Sequence, residues 1–149
     1  PHPQPIDPID QLPPLTTEGK GTFGCLVNGE AFVSRYPDAL ADYTVFDNMN
    51  IRVDFKSPQS ALSITLRNYN MEEGYMEVKD SSTAFFTIYA NSRPFCDYSS
   101  SELIDGWVNI IEFEPFEEFI SGDFELIFYD ENCDTVRITD GRFDLPLVW

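Results

Sequence analysis

The chain has 149 residues, enough for one ordinary domain with a continuous core, and its 42% hydrophobic and 15% aromatic content, with 13 Phe, can fill that core. Twenty-six acids against nine bases leave a net charge of −17, which repels nucleic-acid phosphates and anionic lipid headgroups. No apolar run approaches the eighteen or so residues of a membrane-spanning helix.

Six of the eleven prolines fall in the first fourteen residues, PHPQPIDPIDQLPP. Proline fixes φ and restricts the residue before it, so residues 1–20 read as an extended, Pro-rich N-terminal tether. From Gly21 the texture changes to short alternating runs separated by turn residues, and residues 21–149 read as a single all-β domain. Thr22–Val27 meets Asn28-Gly29 and then Glu30–Val33. Asn-Gly between apolar runs is a strong hairpin signal, since both residues tolerate the positive φ of a type I′ turn.

Pro37–Tyr43 has the composition of a single helical turn. Ile51, Val53 and Phe55 alternate with Arg52, Asp54 and Lys56 as in a half-buried strand. Ser57–Ser60 turns the chain, and Leu62, Ile64 and Leu66 alternate with polar neighbours. Tyr75–Lys79 is a weaker strand, Asp80–Ser82 a turn, and Thr83–Ala90 is rich in residues that fit a pleated surface. A looser segment follows Pro94. Trp107–Phe113 is the next strand; then Ile120, Gly122, Phe124, Leu126 and Phe128 alternate with Ser121, Asp123, Glu125 and Tyr129. Asp130–Asn132 turns the chain, and Cys133–Phe143 returns it. About nine strands joined by short turns predict an antiparallel β-sandwich or a partly closed barrel, and alternation serves both equally because each buries one face of every strand.

The single histidine, His2, lies in the tether, so the body has no imidazole for a Ser-His-Asp or Cys-His arrangement. Cys25, Cys96 and Cys133 are too far apart in sequence for a short-spaced zinc motif, and no glycine-rich phosphate loop is present. No catalytic, cofactor-binding or metal-binding residue is assigned. Cys25, in register with Phe23 and Val27, reads as a small buried hydrophobe. Cys96 and Cys133 sit in turn-like contexts and are the natural disulfide pair if the chain works outside the cytoplasm, with two free thiols as the alternative.

Between Arg93 and Arg137 there is no Lys or Arg but there are twelve acids. Glu112, Glu114, Glu117 and Glu118 interleave with Phe113, Phe116 and Phe119. A solvated acidic surface is the plain reading. The sharper one makes Glu112, Glu114, Phe116, Glu117, Glu118 and Phe119 an interaction surface. Acidic loops such as Asp130–Asp134 could contribute oxygen ligands to Ca²⁺, and the aromatics from Trp107 to Tyr129 could stack on a glycan. A hydrolase using two carboxylates is a third option, requiring acids roughly 5–10 Å apart in a cleft.

The stretch Leu12-Pro-Pro-Leu-Thr-Thr-Glu-Gly-Lys-Gly-Thr-Phe-Gly-Cys-Leu-Val-Asn-Gly-Glu-Ala-Phe32 resembles the opening of a family of small Bacteroidota outer-membrane lipoproteins. Ile120-Ser-Gly-Asp-Phe-Glu-Leu126 is similar to a strand of that family, and Cys133-Asp-Thr-Val-Arg-Ile-Thr-Asp-Gly-Arg-Phe-Asp144 resembles its closing hairpin. The resemblance implies a lipidated Cys just before Pro1, a flexible linker and a β-rich domain on the periplasmic or cell-surface face of the outer membrane. Such a compartment favours the Cys96–Cys133 bridge. The family supplies no catalytic residues to carry over. The expected function is therefore that of a non-catalytic, membrane-tethered accessory subunit of a larger envelope complex, for example in nutrient uptake or protein export. A glycan- or calcium-binding module is the alternative.

Overall fold

The computed structural model describes the backbone of residues 7–44, 48–56, 60–68, 73–77, 84–90, 93–98, 103–114, 116–131 and 133–148. Side chains are described for 7–41, 73–77, 103–114, 116–131, 133 and 135–148. His2, the Ser57–Gln59 and Asp80–Ser82 turns, and the side chains of the Ile51–Phe55 and Leu62–Leu66 runs lie outside the described residues.

The fold is all-β. Among the described residues, a 3₁₀ turn at Pro8–Gln11 is followed by eleven strands: β1 (Thr22–Val27), β2 (Glu30–Arg35), β3 (Ala39–Thr44), β4 (Asn48–Lys56), β5 (Ser60–Asn68), β6 (Gly74–Glu77), β7 (Ala84–Ala90), β8 (Arg93–Tyr98), β9 (Leu103–Glu114), β10 (Phe119–Asp130) and β11 (Asp134–Val148). The long strand β11 joins two sheets. Along one edge it pairs with β10, which pairs in turn with β9 and β9 with the short edge strand β6. Its other edge carries β1, followed by β2. At its C-terminal end, Leu147 and Val148 pair in parallel with Ala41 and Asp42 of β3, which opens a second sheet running β3-β4-β5-β7-β8. Every other pairing is antiparallel. The second sheet folds back over the first, so that β8 meets β10 and β2 meets β3 and β4. The strand path ends at β6 and β8 without closing, a sandwich-like arrangement rather than a barrel.

Two strands exceed the nine expected. β3 occupies the segment expected as a helical turn. Ala39 and Ala41 are fully buried there, and their small side chains let the strand pass close against the core. β8 contains Pro94, a sequence breaker that an edge strand tolerates, since one side of it needs no backbone donor. Strands β9 and β11 also run beyond their expected limits, to begin at Leu103 and end at Val148.

The core is aromatic at its centre. Phe23, Phe124 and Phe143 are buried and follow one another with ring centroids 5.6 and 6.2 Å apart. Around them pack Cys25, Val108, Ile110, Ile120, Leu126, Phe128, Ile138 and Leu145. Gly141 makes room for this stack: a Cβ there would lie 2.5 Å from the Phe124 ring. The β1–β2 turn is the one its sequence encodes, with Asn28 at φ 49° and Gly29 at φ 83°. Asn28 also ties that turn to β11. Its N–H donates to Arg137 O and its Oδ1 accepts from Arg137 N, both at 2.8 Å.

Residues 12–20 do not hang free. Leu12 is buried, and Leu12 and Pro13 lie over Gly24, where a Cβ would come 2.6 Å from Pro13 Cδ. The strap then crosses the outer face of the first sheet and is fastened by Asp144. This carboxylate accepts from Thr16 Oγ1 (2.5 Å) and from the backbone N–H groups of Glu18 (3.1 Å), Gly19 (2.7 Å) and Lys20 (3.1 Å). Gly19 and Gly21, at φ 72° and 76°, allow the chain to curl its amides around one acceptor. Packing therefore begins before Gly21, inside the segment expected as tether.

A candidate ligand-binding face

Beyond the strap, the outer face of the first sheet is open, and strand register organises it into two adjacent rows. One row runs Tyr75–Asn109–Asp123–Arg142–Gly24 across β6, β9, β10, β11 and β1. The next runs Glu77–Trp107–Glu125 across β6, β9 and β10. Alternation on β9 and β10 sends Val108, Ile110, Phe124 and Leu126 inward and these residues outward.

Tyr75 and Trp107 form a tilted aromatic pair on this face, with ring centroids 5.9 Å apart and planes inclined by 30°. Tyr75 is 62% exposed. Asn109 Nδ2 donates to Asp123 Oδ1 at 3.1 Å, which orients one carboxylate oxygen and leaves the other to the surface. Arg142 donates from Nε to Asp140 O at 3.2 Å and from Nη1 to Pro13 O at 3.4 Å. It forms no ion pair with a described carboxylate, although it stands among Asp123, Glu125 and Asp140. A cleft of about 160 Å³ lies between these groups, with Leu15 of the strap as part of its wall. A shallower depression of about 90 Å³, lined by Asp105, Gly106, Glu125 and Ile127, lies on the other side of Trp107. Both contain Trp107 and Glu125.

The six residues expected as an interaction surface are divided by the structure. Glu112 and Glu114 are half-buried at the end of β9, while Phe116, Glu117 and Glu118 form the exposed tip of the β9–β10 hairpin. Phe116 is 97% exposed. Phe119 corrects that expectation: it is buried, and a Cβ on Gly19 would come 3.2 Å from its own Cβ. The strap covers it.

Cys25 is a buried free thiol whose pKa is pushed up to about 12 by desolvation, which rules it out as a nucleophile near neutral pH. Cys133 is disulfide-bonded and half-buried against the core. The backbone of Cys96 pairs with Ile88, and its side chain lies outside the described residues. Of the Asp130–Asp134 loop, Asn132 and the Asp134 side chain are likewise outside them. Among the described residues, no group of three or more His, Cys, Asp and Glu side chains could hold a metal ion.

Asp144 has a lowered pKa. Burial alone would raise it, but the Thr16 hydroxyl and the amides of Lys20, Glu18 and Gly19 favour the charged form more strongly. Sequence reasoning missed Asp144, Tyr75, Asn109 and Arg142 because each acquires its role from neighbours far away in the chain. No protein-family model, curated protein or solved structure matches this chain.

Proposed function

We propose that this chain is a non-catalytic accessory lipoprotein of the bacterial outer membrane, anchored by lipid ahead of Pro1 and acting as a subunit of a larger envelope complex. The observation that carries the partner role is the β9–β10 hairpin tip, where Phe116 stands 97% exposed beside Glu117 and Glu118. A fully exposed Phe forgoes about 2 kcal/mol of burial that a partner's apolar socket would recover. The neighbouring carboxylates of Glu117 and Glu118 suit a basic rim on that partner and steer the encounter.

The family resemblance and the Pro-rich start support the lipid anchor. The disulfide on Cys133 supports an oxidising compartment. With Cys25 free and buried, Cys96 is the partner we assign to Cys133. The test is cross-linking and mass spectrometry on the native protein in its membrane. Cross-links from Glu112–Phe119 into one reproducible complex are expected, and their loss in Phe116→Ser follows. A native protein recovered alone, or one without lipid on the preceding Cys, would overturn the reading.

A further inference from the structure

We infer that the Trp107 face is a binding site for a neutral oligosaccharide at least two sugar units long. The face disfavours anionic and purely apolar ligands by its charge and polarity. Asp123, Glu125 and Asp140 stand about Arg142, Asp105 and Glu77 lie in the adjoining rows, and Arg137 stands opposite Ile127, so five carboxylates outnumber two guanidiniums and an anionic ligand meets net repulsion. Arg142 stands within the cleft and disfavours a compact cation, and no described carboxylates converge to hold a metal. Carboxylates on the cleft walls make a purely apolar ligand costly to bind, because their hydration would be lost without replacement.

A sugar satisfies every part of the surface. Its C–H face stacks on an aromatic ring, and Tyr75 and Trp107 supply two neighbouring rings. Each hydroxyl both donates and accepts. The remaining N–H groups of Arg142 are donors, while Glu125 and the second oxygen of Asp123 are acceptors. The guanidinium is held by the carbonyls of Asp140 and Pro13 rather than by a carboxylate, so it is oriented before a ligand arrives. Depressions lie on both sides of Trp107, and this sets the minimum length. One ring spanning the indole leaves a neighbouring unit in the larger cleft, against Leu15, Asp123 and Arg142. The inference is independent of the hairpin-tip reading and uses a different surface.

The experiment is calorimetry of the purified full chain with the neutral hexaoses of the malto-, cello-, laminari-, xylo- and manno- series, with oligogalacturonate as the anionic control. Emission of a Trp149→Phe variant, whose one remaining indole is Trp107, reports contact at the site. At least one neutral hexaose binds and shifts that emission. Tyr75→Ala, with the unfolding midpoint unchanged, and Arg142→Gln each weaken it by about tenfold or more, and Phe116→Ser leaves it unaltered. The inference is overturned if no neutral hexaose binds, if binding survives both Tyr75→Ala and Arg142→Gln at full strength, or if oligogalacturonate binds more tightly than every neutral probe.

Discussion

Replacing Asp144 by Asn tests how the N-terminal strap is held. Asp144 Oδ2 accepts from Thr16 Oγ1 and the amides of Glu18 and Lys20, and Oδ1 accepts from the amide of Gly19. An asparagine keeps one acceptor oxygen, and wherever that oxygen points, its NH₂ confronts at least one N–H of the strap. A hydrogen bond to a charged acceptor contributes about 1.5–3 kcal/mol and a neutral one about 1, so the retained bonds each weaken by about 1 kcal/mol. The donor facing the NH₂ adds a penalty of about 1–3 kcal/mol. The sum is about 4 kcal/mol, capped by the free energy with which the strap docks at all. Thr16→Ala removes only the hydroxyl and its bond to the carboxylate and should cost about 2 kcal/mol.

The readout is urea unfolding together with trypsin cleavage after Lys20, followed by mass spectrometry of the released peptide. In the wild type Lys20 sits within the fastened segment, its own amide bonded to Asp144. A loss of about 4 kcal/mol would raise the open fraction, and with it the cleavage rate, by up to roughly 1000-fold. The pH dependence follows from the lowered folded-state pKa of Asp144. A depressed carboxylate contributes stability that is fully present above its unfolded value near 4 and is lost as pH falls through the lower folded value. The difference between wild type and Asp144→Asn should therefore be constant above about pH 5 and shrink on acidification. An Asp144→Asn protein within about 0.5 kcal/mol of wild type, with unchanged cleavage at Lys20, would refute the reasoning.

Three further outcomes are expected. Iodoacetamide at pH 8 should leave Cys25 unmodified in the folded protein and label it on unfolding, because its pKa near 12 leaves almost no thiolate; labelling at the rate of an exposed thiol would contradict this. Gly122→Ala places a Cβ against Asn109 O and 2.7 Å from Phe143 Cζ and should cost about 3 kcal/mol. Gly29→Ala, at φ 83° but in open space, should cost about 1, so denaturation giving the reverse order would be inconsistent with the packing. Phe116→Ser should leave the unfolding free energy within about 0.5 kcal/mol of wild type, and a larger loss would mean that the hairpin tip is structural.

Much of the fold was legible in local chemistry. The Asn28-Gly29 hairpin, the inward run of Phe124, Leu126 and Phe128, and the buried Cys25 all follow from alternation and turn preference. Local pattern failed where a tertiary constraint outweighed it. The Ala39–Thr44 segment of β3 is held as a strand by pairing along its length with β4 and at two residues with β11, and Pro94 is tolerated because β8 lies at an edge. Phe119 reads as a surface residue beside Glu117 and Glu118 until the strap is seen to cross it.

The candidate site was far less legible, for a geometric reason. A strand brings residues together across the sheet, and the row that holds Tyr75, Asn109, Asp123 and Arg142 joins positions separated by tens of residues. Composition and alternation determine that this chain is an acidic, aromatic-rich β-protein and which side chains face inward, because those depend on near neighbours and on burial alone. Register, the sharing of β11 between two sheets and the path of the strap decide which outward-facing residues meet. Those depend on pairing between distant strands, and a period of two along one strand carries no information about its partner.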